Sequence, residues 1–119
     1  MELKFDVLFM EEARTFLNSL DEKSRNKIIY NIDKAKSKND PELFKKLKGE
    51  IWEFRTLYNK TYYRLLAFWD KTLKTQTLVI STHGIVKTTG KMPDKEIEKA
   101  ESLRQQYFIL KKQKNGNKK

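Results

Sequence analysis

The sequence predicts an α+β domain: a sheet of at least four strands, an N-terminal helical hairpin covering one face of it, and a C-terminal helix. Three observations carry this expectation. Apolar residues alternate with polar ones from Leu3 to Phe9, and two runs rich in aromatic and branched residues flank Asn59-Lys60 between Ile51 and Trp69, the pattern of half-buried strands and of a hairpin. Between these stretches, Ala13, Phe16, Leu17 and Leu20, then Ile28, Ile29, Ile32 and Ala35, recur at helical spacing. Ile97, Ala100, Leu103, Tyr107 and Leu110 repeat that spacing near the end, giving a helix with one apolar stripe.

In chain order, Glu2 to Met10 reads as a first strand with Leu3, Phe5, Val7 and Phe9 on its apolar side. Ser19-Leu-Asp-Glu22 is a capping-box pattern that starts a second helix directly after the first. Asn39-Asp40-Pro41 ends that helix, since proline can neither donate a backbone hydrogen bond nor fit inside a helix. Glu42 to Gly49 (ELFKKLKG) reads as a basic connector in which Leu43, Phe44 and Leu47 dock while Lys45, Lys46 and Lys48 stay out. Gly49 frees the backbone for entry into the next strand.

Within the hairpin, a tip at Asn59-Lys60 puts Tyr58 opposite Thr61 and Arg55 directly opposite Arg64, while Trp52 and Phe54 point the other way, across from Ala67 and Leu65. One face is core and the other carries paired cations. Asp70 to Lys74 is a polar loop, and Thr75 to His83 a third long strand with Leu78 and Ile80 on one side. His83 to Pro93 holds two glycines, two threonines and two lysines, a composition that suits a phosphate-binding loop and equally a plain connection. Pro93 and Asp94 open the last helix, with acid in its first turn. From Lys111 onward KKQKNGNKK is too polar to pack. Residues 1–110 therefore read as one domain and 111–119 as a disordered basic tail.

A chain of 119 residues is one domain by length and large enough for a core without covalent staples. It has no cysteine, which excludes disulfides and thiolate metal sites and suits a reducing cytoplasm. A single histidine argues against a closed transition-metal site, so no metal and no cofactor are expected. The acidic residues Glu2, Asp6, Glu11 and Glu12 and the lack of a long apolar run near the start argue against a signal peptide or a membrane span. The net charge of +10 points to a polyanionic partner.

The cationic candidates are Lys45, Lys46, Lys48, Arg55, Arg64, Lys87 and Lys91, with His83 and Tyr62 beside them. Two arginines facing each other across a sheet repel, and either a polyanion or a nearby carboxylate such as Glu53 would offset that. GIVKTTGK lacks the glycine spacing of a nucleotide-binding loop, and no Ser-His-Asp arrangement is recognisable. Cations alone suit one reaction class, cleavage of RNA by its own 2′-hydroxyl. That reaction needs a base for the hydroxyl, positive charge at the phosphate and an acid for the leaving oxygen. By ordinary pKa His83 is the easiest acid or base, and clustered lysines whose pKa falls are the other candidates.

The motifs Leu47-Lys48-Gly49, Ile51-Trp52-Glu53-Phe54-Arg55, Tyr63-Arg64, His83-Gly84, Val86-Lys87 and Lys91-Met92-Pro93, followed by Glu96-Ile97 and Ala100, resemble the RelE/ParE superfamily of bacterial toxins, and within it the phage-derived HigB-type toxins. The resemblance spans roughly Leu43 to Tyr107. It implies a RelE-like fold, two N-terminal helices on a twisted antiparallel sheet of about four strands. It also implies a type II toxin-antitoxin toxin that cuts messenger RNA on the translating ribosome and is silenced by a HigA-type antitoxin. Carried over residue by residue, the basic set is Lys48, Arg55, Arg64, Lys87 and Lys91, and His83 sits where the family often has histidine. Together with the residue reading this gives Arg55, Arg64, Lys87, Lys91 and His83 as the catalytic candidates and Lys45, Lys46, Lys48 and Tyr62 as the RNA-binding ones. Two positions depart from the family pattern: Thr88 stands where a second lysine is common, and Gly90 replaces a usually polar residue. The alternatives are a ParE-like inhibitor of DNA gyrase without ribonuclease activity, and a nonenzymatic RNA-binding protein or decayed prophage toxin.

Overall fold

In the computed structural model, which describes residues 4–72, 77–87 and 90–116, the elements run β1 (Asp6–Phe9), α1 (Glu11–Asn18), α2 (Glu22–Ser37), β2 (Phe44–Lys48), β3 (Ile51–Tyr58), β4 (Thr61–Asp70), β5 (Leu78–Lys87) and α3 (Asp94–Gly116). The sheet has five strands in the order β1-β5-β4-β3-β2. It is mixed, with β1 parallel to β5 and every other pair antiparallel. The expected antiparallel sheet of about four strands is corrected on both counts. Phe44 to Lys48, read as a connector, is a strand on the edge beside β3, its lysines guarding that edge against further pairing. Gly49, at a φ of +58°, makes the turn that folds it back. From β1 the two helices carry the chain to the opposite edge, and the meander β2 to β5 brings it back alongside β1.

Strand burial follows position in the sheet. β4 is central, and Tyr63 to Phe68 are buried on both sides. Over one face, Ala13 and Leu17 of α1 and Ile28, Ile32 and Ala35 of α2 pack with Phe54, Leu65, Ala67 and Val79. Each helix lies mainly on its own strand, α1 on β5 and α2 on β3, so the pair forms a layer and not the hairpin of helix against helix that the spacing suggests. The cap of α2 also differs from the Ser19-Glu22 box: Ser24 N donates to the side chain of Asp21, 3.1 Å away, and Ser19 Oγ donates to Phe16 O.

The opposite face carries α3, with Met92, Ile97, Ala100, Tyr107 and Phe108 against Ile51, Leu66, Phe68 and Ile80. Leu110, expected in this stripe, is exposed, and Phe108 takes the inward place. The helix continues to Gly116 through the first part of the expected disordered tail. Its tether is Asp70 at the end of β4, which accepts hydrogen bonds from Tyr107 Oη at 2.6 Å, Lys111 Nζ at 2.6 Å and Thr72 N at 2.9 Å. Burial opposes ionisation of Asp70, but these donors outweigh it and hold the carboxyl well below the usual range. Burial and the Asp70 bond push the Tyr107 hydroxyl up. The expected strand positions 2–3 and 75–76, loop positions 73–74 and 88–89 and tail positions 117–119 lie outside the described residues. Among the described residues no helix is long and apolar enough to cross a membrane.

Candidate functional site

The hairpin turn fixes the site. Asn59 and Lys60 both have positive φ, 51° and 64°, the turn geometry whose twist matches that of the flanking strands. The resulting register places Tyr58 opposite Thr61 and Arg55 opposite Arg64, as the sequence predicts. Alternation then sends Trp52 and Phe54 toward α1 and α2 and both arginines to the α3 face. Phe54 and Leu65 are buried, whereas Trp52 is only partly so, stacked on Phe44 with ring centroids 5.0 Å apart.

Arg55 and Arg64 line a cleft of about 600 Å³ walled by Lys45, Leu47 and Lys48 of β2, by Gly90, Lys91 and Met92 ahead of α3, and by Asp94 and Ile97 of α3. Its floor is Glu53, fully buried. One carboxylate oxygen lies 3.5 Å from Arg64 Nη1 and the other 3.6 Å from Arg55 Nε. The exposed Glu42 is 4.0 Å from Arg55 Nη1. Two guanidiniums at facing positions repel, and the carboxylate between them partly offsets that. Burial pushes the Glu53 carboxyl up, against the pull of Arg64, Arg55 and Lys45. Arg64, itself buried, lies over the Tyr62 ring, 5.8 Å from its centroid, a cation-π contact that orients it.

Five of the candidate residues thus meet in one cleft: Lys45, Lys48, Arg55, Arg64 and Lys91. Lys46 does not, because it pairs with Trp52 and so points to the other side of the sheet. Tyr62 reaches the cleft only through Arg64. Lys87 pairs with Tyr62 in the backbone register; its side chain lies outside the described part, as does Thr88.

His83 stands apart. It lines a separate hollow of about 370 Å³ with Glu11, Glu12, Thr15, Phe16, Gly84 and Lys99. Its Nε2 is 3.0 Å from Glu96 Oε1 and its Nδ1 3.0 Å from Thr82 Oγ1. A neutral ring protonated at Nε2 donates to the Glu96 carboxylate, while Thr82 Oγ1 also donates to Leu66 O, 3.3 Å away. Burial holds the imidazole below its ordinary pKa, although the Glu96 bond pulls the other way. Above this hollow Lys99 of α3 and Glu12 of α1 form a 2.6 Å ion pair.

Of the two carboxylates that shape these sites, Glu53 is the counter-ion the sequence offers for the facing arginines, whereas Glu96 is absent from the sequence-derived candidates. For Glu53 a signal exists: two positions before Arg55, it shares the arginine face by strand alternation. Glu96 reaches His83 only through the packing of α3, which no local pattern encodes.

Residues 15–105 match the family model described as Phage derived protein Gp49-like (DUF891). No curated protein matches the chain. With most of its length covered by that model, the chain belongs to the phage-derived Gp49-like family.

Proposed function

We propose that the protein is the toxin of a type II toxin-antitoxin system, HigB-like in kind, which cuts messenger RNA on the translating ribosome in the cytoplasm and is silenced by a HigA-type antitoxin. The observation that carries this reading is the pair Arg55 and Arg64, side by side at one wall of a lysine-lined cleft. Membership of the Gp49-like family, which falls in the RelE/toxin-like group, supports it. In the proposed reaction the RNA 2′-hydroxyl gives its proton to a base and attacks the adjacent phosphorus, the bond to the 5′-oxygen breaks, and that oxygen takes a proton from an acid. Negative charge grows on the phosphoryl oxygens, where fixed guanidinium donors stabilise it. Lys45, Lys48 and Lys91 hold the flanking backbone, and Lys48, Lys87 and Lys91 are the candidates for proton transfer.

Brief expression followed by mapping of RNA ends tests the reading. Cuts confined to translated messages, leaving 2′,3′-cyclic phosphate and 5′-hydroxyl ends and lost when the attacking hydroxyl is replaced by hydrogen, are expected. Intact messages together with inhibited DNA supercoiling would instead establish the gyrase-directed alternative.

A further inference from the structure

The arginine pair and Glu53 contain four buried polar atoms without a hydrogen-bond partner: both Glu53 carboxylate oxygens, Arg55 Nε and Arg64 Nε. A buried ion pair made for stability alone normally closes into a bidentate fork with contacts near 2.8 Å, because desolvating three charges is recovered only by good geometry. Here the contacts are 3.5 and 3.6 Å. The carboxylate sits close enough to hold both cations by charge, yet these guanidinium N–H groups are not spent on it. The position of Glu53 follows from the sheet, since it precedes Arg55 by two residues on β3 and lies diagonally across from Arg64, its direct partner on β4 being Leu66. Both arginines line the cleft and Arg55 keeps 25% of its side chain exposed there, so an anion entering the cleft meets guanidinium N–H groups that the long contacts to Glu53 leave uncommitted. The surrounding charge favours an anion there, for Lys45, Lys48 and Lys91 also line the cleft.

We propose that Glu53 is a positioning residue: its buried carboxylate holds Arg55 and Arg64 at a fixed spacing and presents the two guanidiniums as a single receptor for one tetrahedral phosphate. Without the carboxylate, the facing cations separate under their own repulsion, and each then binds phosphate as an independent point charge. This deepens the reading of the cleft as a phosphate site but does not require that the protein cut RNA.

The test uses the full chain, inorganic phosphate as the probe, and nuclear magnetic resonance of the arginine Nε–H groups. In the wild type both the Arg55 and Arg64 signals shift along one binding curve with a common midpoint. Glu53→Gln, which keeps the shape and removes the charge, weakens that midpoint about tenfold or more, the scale of a lost charge-assisted contact, and splits the Arg55 and Arg64 signals onto separate binding curves. Glu53→Asp, which keeps the charge on a shorter stem, restores part of the affinity. Arg55→Gln and Arg64→Gln each abolish the shared curve, and in a double-mutant cycle their losses are strongly non-additive.

Wild-type arginine signals that ignore phosphate overturn the proposal, as does a Glu53→Gln protein that titrates like the wild type. Should Glu53→Gln fail to fold, the arginine cycle decides, and simple additivity there overturns the single receptor. None of these measurements involves a ribosome or cleavage. A normal phosphate response with no RNA cutting removes the ribonuclease reading and leaves the receptor standing.

Discussion

The arginines and His83 divide two roles that the sequence placed together. If Arg55 and Arg64 meet charge that develops in the transition state, Arg55→Ala and Arg64→Ala should each slow single-turnover cleavage on ribosomes by about 10² to 10³, with much smaller loss of binding. Equal losses in both would mean that they only bind. His83 is expected to matter for stability instead, because it lies outside the cleft and Glu96 and Thr82 occupy its nitrogens. Its folded-state pKa is depressed, so the unfolded chain takes up the proton first on acidification. The stability it contributes is complete above about pH 6.5 and is lost as pH falls through the lower folded value. Melting His83→Asn and wild type side by side across this range should show a shallower acid slope in the variant, with cleavage near normal. A cleavage defect as large as that of the arginine variants would put the histidine back in the reaction. Alternation along β3 was enough to read the facing arginines from the sequence, whereas the fate of His83 depended on a helix thirteen residues further on.

Two packing contacts between elements have measurable costs. Where α1 crosses β5, a Cβ on Gly84 would fall 2.3 Å from the Phe16 ring, so the helix can lie this close only over a residue with no side chain. Gly84→Ala should cost about 1–3 kcal/mol by overpacking in denaturant melts, and Phe16→Leu added to it should recover part of the loss. No loss in the single variant would place α1 further from the sheet. At the other end, ending the chain after Leu110 removes Lys111 from Asp70. The expected loss is about 1.5–3 kcal/mol, as for other hydrogen bonds to a buried charge. Because the Asp70 pKa is lowered, the stability it contributes is present above the ordinary aspartate range and fades as pH falls through the folded value. Unchanged melts would return the segment to the role of a free tail. Composition could not reveal this tether, since KKQKNGNKK reads as solvated whether or not one lysine is held. β2 escaped notice for a related reason: its pattern of three exposed lysines around a partly buried leucine reads as a connector, and only pairing with β3 makes it a strand.

At the scale of the whole molecule, the hairpin and the helices were legible because each is written in local periodicity. The mixed sheet was not, because which strand lies beside β1 is settled by chain reversals far along the sequence. The outcome sets Asp6 beside Leu78 and Phe9 beside Ser81. Such a closure has a consequence in time. During synthesis β1, α1 and α2 emerge first, yet the strand that β1 pairs with is nearly the last to be made, and long-range pairing of this kind is slow to form. Until then Ala13 and Leu17 of α1, the helix that lies on β5, have an incomplete surface to cover. A nascent chain arrested before Leu78 clears the exit tunnel should be cut readily by protease within α1. One arrested with α3 also outside should resist. Resistance in the shorter chain would show that the N-terminal half folds alone, and the sheet would then be closed onto a finished subdomain instead of completing it.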